Sequence, residues 1–221
     1  MFAVIFEVDP KEARRDEYFD LARMLRPKLE AIDGFIDIDR FASRRSTQRV
    51  LSLSTWRDEK AVIRWRTQAE HHRAQERGRS EIFADYRLRV GEVTADTQPG
   101  VSATQRRFDE TEVAEAKVAT VTDVTLDAQG PAAGWALSAA DLGLDRNADG
   151  LLDHEFFESV YHPGKLVLLV SWRDAGAATA WMPTKPEAAT AFRHRHVRII
   201  RDYGMFERRE APQYYPDVTR A

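Results

Sequence analysis

Cysteine is absent from the 221 residues. A disulfide scaffold, a zinc–thiolate site, an iron–sulfur cluster and a thiol nucleophile are therefore excluded. Asparagine occurs once, at Asn147, and lysine only at positions 11, 28, 60, 117, 165 and 185, so the cations are mostly arginine, as GC-rich bacterial coding produces. Eleven glycines and nine prolines are too few for a collagen-like or low-complexity chain. No apolar run approaches the ~20 residues needed to span a bilayer. The opening MFAVIFEVDP has no basic n-region and no small-residue cleavage site, so it reads as a first strand and not a signal peptide. These absences predict a cytoplasmic protein without a membrane partner. With a net charge of -3 and a pI near 6.1 the chain also lacks the basic excess of a dedicated nucleic-acid binder. What it has is the material of a core: 43% hydrophobic residues, with five Trp, eleven Phe and six Tyr.

The chain repeats itself. One constant shift carries Ala3 and Val8 onto Ala119 and Val124, and Asp33-Gly34 onto Asp149-Gly150. The same shift carries Asp37, Phe41 and Ser43 onto Asp153, Phe157 and Ser159. It also superposes W-R-D-x-x-A-x-x-x-W from Trp56 to Trp65 on its copy from Trp172 to Trp181. A one-residue insertion then brings Ile82, Asp85 and Tyr86 onto Ile199, Asp202 and Tyr203. A tandem duplication follows. In the first copy Phe2–Val8 reads as a strand, and Lys11–Ile32 as a helix with apolar residues at Tyr18, Leu21, Ala22, Leu25 and Leu29. Phe35–Phe41 and Val50–Trp56 alternate as strands, Glu59–Glu70 reads as a second helix, and Glu81–Val93 as a last strand. The order β-α-β-β-α-β is the ferredoxin-like arrangement of an α+β fold. In the second copy His162-Pro163-Gly164-Lys165 suits a hairpin turn. The first helix there, around Ala128–Leu144, is weakened by Gly130, Pro131, Gly134 and Gly143. The organisation expected is a domain over 1–93, a linker over 94–116 with a short helix at Thr111–Lys117, a second domain over 117–209, and a tail over 210–221.

F-x-V-x-F-x-V, G-F-I-D-I-D-R-F-x-S, L-S-L-S-x-W-R-D-E-x-A-x-x-x-W and H-R-A-Q-x-x-G-R-x-x-I-F-x-D-Y-R-L-R-V together resemble an antibiotic biosynthesis monooxygenase domain, of the dimeric α+β barrel superfamily. The resemblance covers residues 2–93 well and the second copy more loosely. It implies two sheets packed as a barrel, here as a pseudo-dimer within one chain or in a homodimer. It also implies a pocket between each sheet and its helices. Some members of the family oxygenate phenolic, polycyclic substrates without metal or flavin; other members of the superfamily degrade haem. The implied activity is oxygenation of a small aromatic or polyketide-like molecule, with O2 as co-substrate and no cofactor. The alternative is a binding or sensing protein using the same pocket.

The resemblance places Trp65 and Trp181 where a pocket tryptophan is found, although both also read as core. On a continuous helix Trp65 shares a face with Gln68, Ala69 and His72. Trp65, His72 as base and Tyr86 as substrate-orienting phenol are the catalytic candidates; Gln68, His71 and Gln75 are the substrate-binding ones. Each has a plain alternative: surface imidazoles for the histidines and a half-buried strand aromatic for Tyr86. His194 and His196 stand on one face of an extended segment, as a metal-binding pair would, and a solvated edge explains them equally well. Arg57 and Arg173 read as structural partners of Asp58 and Asp174. Haem degradation and quinone formation in the family rely on a pocket Asn that the first copy lacks. Asp145-x-Asn147-x-Asp149-Gly150-x-x-Asp153 matches the first nine positions of a calcium loop. Phe156 at position twelve, and the match of Asp149-Gly150 to Asp33-Gly34, instead read this segment as a helix-to-strand turn.

Overall fold

Alternating side chains give each strand two faces, and this chain buries both. The computed structural model describes residues 1–99, 101, 105–127 and 137–219. The first half forms β1 (Phe2–Pro10), α1 (Arg15–Glu30), β2 (Phe35–Ser43), β3 (Val50–Trp56), α2 (Glu59–Thr67), α3 (Ala69–Arg77) and β4 (Phe83–Asp96). The second half forms β5 (Val118–Leu126), β6 (Leu151–Ser159), β7 (Lys165–Trp172), α4 (Ala175–Ala180) and β8 (Ala189–Gly204). Eight strands close a barrel in the order β1-β3-β2-β6-β7-β5-β8-β4. Each half supplies one antiparallel sheet of the α+β, ferredoxin-like type. The halves join like to like, β2 on β6 and β4 on β8.

One strand face fills the barrel with Ala3, Ile5, Phe41, Leu51, Leu53, Val93 and their second-half counterparts, including Ala119, Val121, Phe157, Val167 and Leu169. The polar groups among them occur in duplicate. Arg89 pairs with Glu7 and donates to Ser171 Oγ at 3.0 Å; Arg195 pairs with Asp123 at 2.7 Å and donates to Thr55 Oγ1 at 3.2 Å. At one seam Ser43 donates to Glu155, and at its counterpart Ser159 donates to Asp39. At the other, Arg87 pairs with Asp202 and Arg193 with Asp96. Such a set needs two copies of one ancestral interface, so the duplication extends to the contacts that hold the halves together.

The motif shared by the copies is a local device. Arg57 grips Asp33 with both terminal nitrogens at 2.7 Å, and Arg173 reaches Asp149 at 3.0 Å. Asp58 and Asp174 accept from the amides of Ala61 and Ala177, both at 2.9 Å, capping α2 and α4. Gly34 and Gly150 take φ of 92° and 75°, and a Cβ at either would meet an alanine Cβ within 3 Å. The Asp-Gly is thus the turn into β2 and β6. Asp145 caps the Asn147 amide and Asp153 pairs with Arg45, so the candidate calcium carboxylates have protein partners and do not converge. Among the described residues no group of three acidic or histidine side chains could hold a metal ion.

Three expectations differ from the structure. The span around Ala128–Leu144 lies partly outside the described residues; its described remainder carries only a 3₁₀ turn at Ala140–Leu142, ended by Gly143 at φ 73°. Thr111–Lys117 is not helical, because Glu210 accepts from the Thr111 hydroxyl and the Glu112 amide and holds the segment against β8. The third concerns the last strand. Val8 faces Tyr86 across β1 and β4, and Val124 faces Phe192 across β5 and β8. The counterpart of Tyr86 is therefore Phe192. Tyr203 lies further along, opposite Leu88 of β4. The second half has no equivalent of α3, so β8 begins early and runs for 16 residues. No described helix is long and apolar enough to cross a membrane.

Candidate functional site

On the outer face of the first sheet Phe2, Val4, Phe6 and Val8 alternate with the barrel-facing residues, and β4 adds Tyr86, Leu88 and Val90. The stripe Tyr18, Ala22, Leu25 and Leu29 of α1 lies over them. Between these layers is a cavity of about 200 Å3, smaller than the ~300–1,000 Å3 of typical ligand pockets. Val4, Phe6, Leu25, Val62 and Leu88 give it a largely apolar floor, and Arg40, Arg66, Arg79, Arg201 and Arg208 also line it. The chain after β8 returns over the opening and contributes Pro212, Gln213 and Tyr215.

The expected second helix breaks at Gln68, which takes an extended ψ of 128°. Gln68 accepts from the His71 amide at 2.7 Å and so caps α3. The continuous face joining Trp65 to His72 is thereby lost, and His71 takes that place. Its ring stacks on Trp65 with centroids 4.0 Å apart and planes 13° from parallel. His71 Nδ1 lies 2.9 Å from the Trp65 carbonyl, which can only accept, so Nδ1 carries the proton and Nε2 the lone pair. Burial pushes the His71 pKa down to about 4; the Trp65 carbonyl opposes this and His72 adds to it. No described side chain hydrogen-bonds Nε2.

Tyr86 is the second polar feature. Its hydroxyl oxygen accepts from Arg79 and from Arg208, each at 2.8 Å, which leaves its own proton for a ligand oxygen. Arg79 also donates to the carbonyls of Met205 and Pro216, and Arg208 to that of Gln213, so both arginines tie the C-terminal segment down. Tyr203 reaches the cavity from β8, and burial pushes its pKa up to about 12, with Tyr86 nearby acting in the same direction.

Of the residues singled out in the sequence, Trp65, His71, Gln75 and Tyr86 line the cavity. Gln75 faces the tail, its Oε1 accepting from the Tyr215 hydroxyl at 3.0 Å. Gln68 is spoken for as a cap. His72 lies outside the lining, stacked on Tyr215 with Nδ1 3.0 Å from its hydroxyl. Arg66, Arg201 and Arg208 had no sequence signal, being arginines among many; Arg40 and Arg79 stood in the family-like motifs without a role, and Tyr203 was noticed only as the supposed counterpart of Tyr86.

The corresponding face of the second half is packed shut. Leu137, Leu142, Leu144 and Trp181 cover Leu168 and Trp172, and the Trp172 and Trp181 rings lie 5.9 Å apart. His194 is 1% exposed, with Nδ1 2.9 Å from Thr122 Oγ1 and Nε2 3.1 Å from His196 Nε2. Burial first, and then His196, lower its pKa to about 3. A wider hollow of about 460 Å3 is lined by Asp39 paired with Lys165, Asp123 with Arg195, and Arg193 paired with Asp96 nearby, with Asp37 outside these pairs. It offers a ligand far less unsatisfied chemistry than the first-half cavity.

The family model for antibiotic biosynthesis monooxygenase matches residues 1–77. A jasmonate monooxygenase from the fungus Pyricularia oryzae is 41% identical over 99% of this chain and 100% of its own length. Among solved structures, an aldoxime dehydratase crystallised with butyraldoxime matches 90% of this chain and 79% of its own at a TM-score of 0.57 and 10% identity, a likeness of fold alone. An anthrone oxidase-like protein matches 96% of each chain at a TM-score of 0.38 and 11% identity.

Proposed function

The chain belongs to the antibiotic biosynthesis monooxygenase family, and from that premise we propose that it oxidises a small, largely apolar molecule in the first-half cavity, with O2 as co-substrate and without metal or flavin. The observation that carries the reading is His71: a neutral imidazole with an unpartnered Nε2, stacked on Trp65 in an apolar cavity. Such a group takes a proton from a C–H made acidic by an adjacent carbonyl or a hydroxylated ring. Tyr86 donates to the oxygen on which the negative charge collects. The carbanion passes one electron to O2, the radicals combine to a peroxide, and His71 returns the proton. Loss of water then leaves a carbonyl, so that one substrate methylene group and one dioxygen give one carbonyl group and one water. The substrate supplies every electron, so no external reductant enters.

The fungal relative makes jasmonate the first substrate to test, followed by phenols and anthrones. The measurement is O2 uptake, with 18O2 to locate the single atom incorporated. His71→Ala should lower kcat by ~10²- to 10⁴-fold while the far-ultraviolet circular dichroism shows the fold retained. Unchanged turnover in that variant would remove His71 as the base. The second reading is a binding protein without turnover, favoured by the low pKa of His71, which makes it a weak base. Tight ligand binding with no O2 uptake by any substrate would establish it.

A further inference from the structure

The cavity carries more positive charge than the protein neutralises. Five arginines line it, and the only lining carboxylate, Glu59, pairs outward with Arg107. Arg79 and Arg208 are engaged with Tyr86 and the tail. Arg40, Arg66 and Arg201 have no carboxylate within ion-pair distance among the described residues. Arg40 and Arg79 are only 8% and 4% exposed. Buried Nε atoms without a hydrogen bond occur at Arg40, Arg66 and Arg79 and equally at Arg89 and Arg195, so what sets the cavity arginines apart is the missing counter-charge. The barrel interior shows the contrast, since buried Arg89 and Arg195 each have an acidic partner. Buried charge without a counter-charge is costly, and a ligand anion relieves it.

We propose that the cavity takes a small organic carboxylate. Arg66 and Arg201, which line the cavity together with Tyr203 and have no acidic partner among the described residues, hold the carboxylate. A planar guanidinium matches a carboxylate through two parallel hydrogen bonds. The hydrocarbon body lies against Val4, Phe6 and Leu88, and the volume of about 200 Å3 limits its size. The inference rests on this cavity being the ligand site, but its test reads binding and not turnover.

The test is calorimetric titration of the full chain with a panel of cycloalkyl- and arylacetates and their neutral amides. Each acid that binds should do so at least tenfold more tightly than its amide, and Arg66→Gln and Arg201→Gln should each remove most of that preference while the amide affinity stays the same. Equal affinity of acid and amide would overturn the proposal, as would failure of every acid to bind. Loss of both affinities together in folded variants would also overturn it, by showing that the arginines only shape the cavity. Inorganic phosphate competing as well as the acids would show an anion site with no use for the apolar walls, against the proposal. Acid preference without O2 uptake would leave this inference standing and remove the monooxygenase reading alone.

Discussion

At the scale of single residues, His71 and His72 are adjacent and chemically unlike. One stacks on Trp65 inside the cavity and the other on Tyr215 at its edge. The His71 pKa of about 4 lies below the ~6.5 of a free imidazole, so between those values the unfolded chain binds a proton that the folded chain refuses. Stability should rise with pH across that window and level off above it. His194, near 3, and His196, also lowered by burial, act in the same sense. Chemical denaturation at a series of pH values should show the fall below pH 6.5, and His194→Phe should flatten it by up to about one proton. The same shift places the acid limb of kcat/KM well below pH 6.5. Trp65 and Tyr86 were legible because helix and strand periodicity survive locally at each. The choice between the two histidines was not legible. It depends on an extended Gln68, and no glycine or proline marks that break.

At the scale of elements, the short crossings govern what each half can do. The break between α2 and α3 turns the second crossing back over the sheet and leaves room beneath it. In the second half α4 stops after six residues, and Trp181 drops onto Trp172 to fill the equivalent space. The early start of β8 was hidden by the chance superposition of Tyr203 on Tyr86. The tail was read as an appendage because it has no periodicity. Its role is set by distant partners, since the Pro216 and Gln213 carbonyls accept from Arg79 and Arg208. Removing residues 212–221 should leave the far-ultraviolet circular dichroism of the barrel in place. It should weaken ligand binding about tenfold by opening one wall, as titration of the truncated chain would show.

At the scale of the whole molecule, two sheets that could not stand alone bury their inner faces against each other. The apolar alternation, the repeated W-R-D and the paired Asp-Gly turns make that architecture readable in the sequence. The seams were not readable, because β2 with β6 and β4 with β8 are joined by residues far apart in sequence. Residues 1–96 expressed alone should pair through the β2 and β4 edges, giving a dimer in light scattering at micromolar concentration. A well-folded monomer there would show that the inner face does not need a partner. In the intact chain the connection between halves makes that pairing independent of dilution.

A fused pair has a consequence that a pair of separate subunits escapes. In a pair of separate identical chains the segment after each last strand could drape over a pocket of the assembly. Here the segment after β4 runs on toward β5, whereas the segment after β8 lies on the first-half cavity, with Arg201 and Tyr203 just before it. Fusion thus imposes a division of labour: one half becomes the chamber, and the other supplies its door and part of its lock.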